Sequence, residues 1–294
     1  MTSTDRPTYG PGDILRETDQ AIREILKERI EPLTVERVVM GLFFTGVKLS
    51  DGTGGLCFTP IKAIPEAVCC PSSAKVMPAS GKLKGRRVTD YLDELFSANP
   101  LKRTLGIAVL NALSMSCWEK RPPVDYAIRT RTDAIDELAI PEEGYVVVVG
   151  ALVPALKKLK ARGKPFGILE LDPSTLKPNE LPFHIPVERM PEAVAKADML
   201  IITGTTLIND TLEDLLSRKK PAAPAALVGP TASMLPGAFF RRGITVVGGV
   251  LVTDADRVLD VIAEGGSGYH FFEKGAERLT ISIPSPNPRS MEHR

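Results

Sequence analysis

The chain has 294 residues, room for two ordinary domains or one large one. Hydrophobic residues make up 43% and charged residues 25%, and the formal net charge is +1, so no global field draws the protein to nucleic acid or to an anionic membrane. No apolar run approaches the roughly 20 residues that span a bilayer, and the opening "MTSTDRPTYGPGD" lacks the apolar stretch of a signal peptide, so the expected location is the cytoplasm.

Apolar residues recur at helical spacing over 13–30, where Ile14, Ala21, Ile22, Ile25 and Leu26 line one face. The β-branched and aromatic run "VERVVMGLFFTGVKL" (35–49) predicts a strand, "SDGTGG" (50–55) a turn and "LCFTP" (56–60) a return strand stopped by Pro60. Residues 61–88 are irregular, and their basic stretch "GKLKGRRV" (81–88) reads as a solvated loop. A short helix is expected over 88–96, capped by Thr89 or Asp90, and a longer apolar one over 100–118 with Pro100 in its first turn. Residues 119–131, with "KRPPV", predict a linker.

From residue 144 the texture changes. Apolar runs at 145–150, 165–171, 198–204, 225–229 and 244–249 alternate with helical patterns at 152–163, 191–197, 207–218, 232–243 and 254–266. A continuous apolar run marks a strand buried on both faces. Strands and helices alternating at this spacing predict βαβ units and a mostly parallel sheet. The expected fold class is α/β: an α+β domain over 1–120, a Rossmann-like domain over 121–284 and a disordered tail over 285–294.

Open parallel sheets bind ligands outside the carboxyl ends of their strands. The first such end, "VVVVGALVPAL" (146–156), has Gly150 but no GxGxxG, and Pro154 has no N–H to offer a pyrophosphate, so NAD is not expected. Glu170 ends the second strand, either as a ribose-holding acid or as a polar strand end. The third end, "IITGTTLINDTLEDLL", carries Thr203, Gly204, Thr205, Thr206, Asn209 and Thr211, more hydroxyl and amide groups than capping one helix requires. That excess suits a polar ligand, with elaborate capping as the alternative. Gly229, Thr231 and Ser233 follow the next strand, and Gly248 and Gly249 the last. Asp254 reads as a helix cap. No Ser-His-Asp set, GxSxG elbow or phosphate-binding loop is present.

Metal-ligating residues are scarce. The cysteines are Cys57, Cys69, Cys70 and Cys117, without a CxxC pair, and the histidines are His184, His270 and His293. Neither a disulfide framework nor a structural zinc site fits this inventory. Cys57 reads as a buried structural cysteine or a soft metal ligand. The adjacent Cys69 and Cys70 are poorly placed to chelate one ion.

The blocks "FFTGVKLSDGTGGLCFTP", "RTLGIAVLNALS", "IITGTTLINDTLEDLL", "LVGPTASMLPGAFFRRGITVVGGVLVTD" and "IAEGG", in this order, resemble a family of unknown function labelled a "putative heavy-metal chelation" domain. The resemblance implies an enolase N-terminal-like domain joined to a Rossmann-like domain, with a site in the cleft between them. It places Gly54, Gly55, Thr59 and Pro60 on one side of the cleft and Asn111 at the boundary. Thr203, Gly204, Thr205, Asn209, Thr211, Gly229, Pro230 and Thr231 would face them. The family pattern has glycine where this chain has Asp210, and a small residue where it has Cys57.

The leading expectation is therefore binding of a metal ion, oxyanion or metal-bearing small molecule in the interdomain cleft. Asp210 would add a carboxylate at the rim, and Cys57 and Glu170 are the candidate metal ligands. One alternative is an enzyme acting on a phosphorylated or carboxylated metabolite, with Asp210 or Glu170 as acid or base. Another is a partner-binding subunit using the proline-rich segment 172–191. The expected partner is a small ligand or metal complex, with neither nucleic acid nor membrane, and homodimerisation is the prior for a soluble protein.

Overall fold

The computed structural model describes residues 10–63, 77–272 and 274–283. Cys69, Cys70 and the expected disordered tail lie outside the described residues.

Two sheets organise the chain. The first is antiparallel, with order β1-β2-β3, from β1 (Val35–Met40), β2 (Phe44–Leu49) and β3 (Gly54–Phe58). The run 35–49 is therefore two strands rather than the single one expected. Gly41 turns the chain: its N–H donates to the Phe44 carbonyl at 2.9 Å. A Cβ on Gly41 would lie 2.5 Å from Ile262 Cγ2, so the turn is pressed against a distant helix. Sequence carries little sign of it, because Leu42 and Phe43 continue the apolar run through the turn.

Helix α1 (Asp13–Leu26) presents Ile14, Leu15, Ile22 and Leu26 to the core. Helix α2 (Val88–Leu92) follows the irregular segment. Its N-cap is Arg87, with no side-chain cap bond, two residues before the expected Thr89 and three before Asp90. Helix α3 (Pro100–Lys120) is capped by Asn99, whose side chain accepts from the N–H groups of Leu101 and Lys102. Every α3 residue from Thr104 to Cys117 is buried. A helix apolar all round belongs inside, and α3 is enclosed by the first sheet, by α1 and by the second sheet's loops.

The second sheet has eight strands in the order β4-β11-β10-β9-β8-β5-β6-β7. They are β4 (Ala127–Thr130), β5 (Val146–Val149), β6 (Phe166–Leu169), β7 (His184–Ile185), β8 (Met199–Thr203), β9 (Ala225–Val228), β10 (Ile244–Val252) and β11 (Ala276–Ser282). Strands β5 to β10 pair in parallel, while β11 and β4 join antiparallel at one edge. Part of the expected linker is thus strand β4. Its residues are half-buried or exposed, which left no apolar run to reveal it.

Helices α4 (Ala134–Glu137), α5 (Val153–Arg162), α6 (Met190–Lys196), α7 (Leu212–Arg218), α8 (Gly237–Arg241), α9 (Ala255–Ala263) and α10 (Gly268–Phe271) complete the fold. Gly163, in the left-handed region at φ 66°, ends α5 as expected. Asp254 caps α9, accepting from the Arg257 N–H at 3.1 Å. Two helices start later than their patterns suggest. Asp210 has φ 57°, which no helix interior accepts, so α7 begins at Leu212 after a separate tight turn, Gly204–Leu207. Helix α8 begins after Pro236, preceded by the turn Pro230–Ala232.

The two sheets share packing. Leu56 from β3 clusters with Val250, Val258, Leu259, Ile262 and Phe271. Glu17 of α1 pairs with both Arg241 and Arg242 beyond the second sheet. Hydrogen bonding to Arg242, strengthened by Arg241, holds the Glu17 carboxyl down at about 2. Glu213 of α7 accepts from the Ile14 N–H at 3.1 Å, and burial pushes its carboxyl up. Among the described residues, no helix is long and apolar enough to cross a membrane.

Candidate ligand site

The second sheet reverses its strand order between β5 and β8: the chain runs outward through β6 and β7, then returns to β8 on the other side of β5. Helices then leave the two central strands toward opposite faces, and a crevice opens at their carboxyl ends. Here that crevice is a cavity of about 130 Å³. Its lining is mostly apolar, from Val149, Leu169, Leu171, Val187, Met190 and Leu215. Thr203, Thr205, Thr206, Asn209 and Thr211 also line it, with Gly150 and Glu170. Gly150 has φ 91°, and a Cβ there would meet Thr203 Cγ2 at 2.8 Å, so only glycine lets β5 end against that side chain.

The threonine lining is partly self-bonded. Thr203 Oγ1 accepts from the Thr205 N–H at 3.4 Å and from the Thr205 hydroxyl at 3.2 Å. Thr206 donates to the Thr203 carbonyl at 2.7 Å. Thr211 donates to Asn209 Oδ1 at 2.7 Å, and among the described residues the Asn209 NH2 group has no partner. Asn209 and Thr211 are exposed, whereas Thr203 and Thr205 are half-buried.

Asp210 adopts the left-handed backbone that favours glycine, and its side chain pairs with Arg103 of α3. Arg103 also donates to the Ile208 carbonyl at 3.1 Å. The ion pair supplies a reason for an aspartate at a position whose φ suits glycine, since Asp tolerates this region better than most residues. Lys62, just beyond β3, pairs with Asp172 on the opposite flank. Elements near the first sheet thus reach both sides of the cavity mouth.

Glu170 sits at the end of β6. Its Oε2 accepts from the Ala151 N–H at 2.9 Å and its Oε1 from the Asp172 N–H at 3.1 Å. His184 Nε2 lies 3.0 Å from the Glu170 carbonyl. The carboxylate therefore bridges the β5–α5 turn and the loop after β6.

The other expected site residues lie elsewhere. Asn111, buried on α3, donates through its NH2 to the carbonyls of Leu56 (2.7 Å), Pro230 (3.2 Å) and Thr231 (3.1 Å). Three acceptors around one nitrogen fix the orientation of the amide. Thr231 Oγ1 accepts from the Phe58 N–H at 3.1 Å and lies 3.9 Å from Cys57 Sγ. Thr59 shares a hydrogen bond with Thr45 at 3.0 Å. Cys57, Thr59, Asn111 and Thr231 are each at most 2% exposed. Gly54 and Gly55 are packed: a Cβ on Gly55 would lie 2.1 Å from the Ala108 carbonyl oxygen, and one on Gly54 2.6 Å from Val252 Cγ1. Gly204 joins the two regions, since a Cβ there would meet Thr231 Cβ at 3.2 Å. Gly229, at φ 131°, precedes the Pro230–Ala232 turn.

The expected set thus divides. Thr203, Thr205, Asn209, Thr211 and Glu170 line the cavity, while Asp210 holds its rim. Gly54, Gly55, Cys57, Thr59, Asn111 and Thr231 form a closed seam between the sheets. The apolar lining went unread as such in the sequence. Leu171 was read as the end of the expected strand 165–171, and Val187 and Met190 stand in or beside a proline-rich loop, where isolated apolar residues carry no period.

The fold and cavity define an α/β protein with a mostly parallel sheet, a smaller antiparallel sheet and a pocket at a strand-order reversal. The chain belongs to the family described as "Putative heavy-metal chelation" (DUF364), whose model matches residues 133–281. A second model of the same description matches residues 23–114. An uncharacterized protein of Methanocaldococcus jannaschii is 30% identical over 203 residues, covering 67% of this chain and 73% of its own. Two solved structures of unknown function from the DUF364 family share the fold. That from Pyrococcus horikoshii has TM-score 0.71 at 19% identity, covering 92% of this chain and 100% of its own. That from Desulfitobacterium hafniense has TM-score 0.63 at 19% identity, covering 90% and 98%.

Among the described residues the donor set does not fit a bare heavy-metal ion held by side chains. Among the described residues no group of three or more His, Cys, Asp or Glu side chains is arranged to hold one. Soft metals bind thiolate. Burial pushes the Cys57 thiol up to about 12, against the hydroxyls of Thr231 and Thr104, so it stays protonated at neutral pH. The cavity offers neutral hydroxyl and amide groups and one carboxylate already holding two backbone N–H groups.

Proposed function

We propose that this protein binds a small molecule at the strand-end cavity, beside the junction of its two sheets. The ligand's polar group meets Thr203, Thr205, Asn209 and Thr211, and its apolar part meets Val149, Leu169, Val187 and Met190. A metal would enter this site as part of a complex, already coordinated by atoms of its own ligand. The observation that carries the reading is the cavity itself: a mostly apolar pocket with a few polar side chains in its lining, at a topological switch point.

The test is native mass spectrometry beside elemental analysis, on protein purified without chelators. The expected result is a retained small-molecule mass that disappears in Asn209→Ala. A bare heavy-metal ion bound stoichiometrically, kept by Asn209→Ala and lost in Cys57→Ser, would overturn the proposal.

A further inference from the structure

The geometry points to a charge filter in this cavity: it takes a neutral or cationic ligand with an apolar body and excludes phosphate- and carboxylate-bearing ones. The inference rests on the cavity being a ligand site.

A strand-end cavity ordinarily receives anions on backbone N–H groups at helix starts. The places the sequence offers here are partly taken. At the β5–α5 turn the Ala151 N–H already donates to Glu170, at 2.9 Å, and Pro154 on the first turn of α5 has no N–H. In the turn Gly204–Leu207 the Thr205 N–H faces Thr203 Oγ1, at 3.4 Å. The start of α7 follows Asp210 and carries Glu213 and Asp214 in its first turn.

The charges at the wall agree. Glu170 is the sole ionisable side chain among the described lining residues. The cations beside the mouth, Arg103 and Lys62, are matched by Asp210 and Asp172. An entering anion would meet the Glu170 carboxylate with no unpaired cation to offset it, and like charges at such range repel strongly away from bulk water. Each Glu170 oxygen accepts one backbone N–H and retains capacity for another donor. An ammonium or hydroxyl on the ligand supplies that donor.

Four probes with one apolar body decide the matter: isopentylamine, isopentanol, isovalerate and isopentyl phosphate, each titrated into the full chain by protein-observed NMR. The amine and the alcohol are expected to bind at least tenfold more tightly than the two anions. Glu170→Gln is expected to weaken the amine about tenfold and the alcohol less than the amine, since the Gln carbonyl oxygen still accepts from a hydroxyl while the charge attraction is lost. Isovalerate or isopentyl phosphate binding as tightly as the amine overturns the filter and leaves the ligand site standing. If no probe shifts the Thr203, Thr205 and Thr206 resonances, the ligand site falls and the filter with it. The order among probes on the unmodified protein decides the question even where Glu170→Gln fails to fold.

Discussion

Two neighbouring regions are built from the same kinds of residue and do different work. In the seam, Asn111, Thr231, Thr59 and the glycines of β3 are sealed between the sheets, and most of their polar atoms are spent on backbone or on one another. A few ångströms away, Thr203, Thr205, Asn209 and Thr211 face a cavity, and the Asn209 amide has donors to spare. The turns Gly204–Leu207 and Pro230–Ala232 touch, so one edge of one sheet carries both. A threonine or asparagine after a strand therefore does not by itself mark a ligand. What decides is whether docking of another element consumes its hydrogen-bonding capacity.

The largest expected effect breaks the seam. Asn111→Leu should destabilise the protein by about 3–5 kcal/mol, because it strips a partner from the carbonyls of Leu56 in β3 and of Pro230 and Thr231 in the turn after β9. Urea unfolding measures it, and a loss under about 1 kcal/mol would mean the seam does not depend on this amide. Gly55→Ala should cost about 1–3 kcal/mol by pushing β3 off the α3 backbone. A wild-type urea midpoint would show that the close approach is dispensable.

Glu17 sharpens the comparison through pH. Its folded value of about 2 lies below the ordinary 4.5, so it stabilises above the ordinary value, and that stability is lost as pH falls from about 4.5 toward about 2. The melting temperature should drop less steeply over that window in Glu17→Gln than in the unmodified protein. Identical profiles would remove the α1–α8 contact from the account of acid stability.

The smallest stability effects belong to the cavity. Thr205→Val and Asn209→Ala should change unfolding free energy by no more than about 0.5 kcal/mol, since neither side chain is sealed. Retention of the small molecule proposed for this site should nevertheless fall at least tenfold, read by native mass spectrometry. A large stability loss with unchanged retention would place these residues with the seam instead.

Sequence alone determined the alternation of strands and helices after residue 144, because a strand buried on both faces must be an unbroken apolar run. It also determined that the turn after β8 is richer in hydroxyls than one helix end needs. It could not show the edge strand β4 or its neighbour β11, which mix charged with apolar residues, nor the late start of α7, which depends on the φ of one residue, Asp210. Only the tertiary structure sorted the candidate residues into seam and cavity. It also supplied the apolar lining, from strand ends and loops that are distant in the chain. The physical reason is that hydrophobic period is local, whereas the satisfaction of a polar group is settled by whatever packs against it.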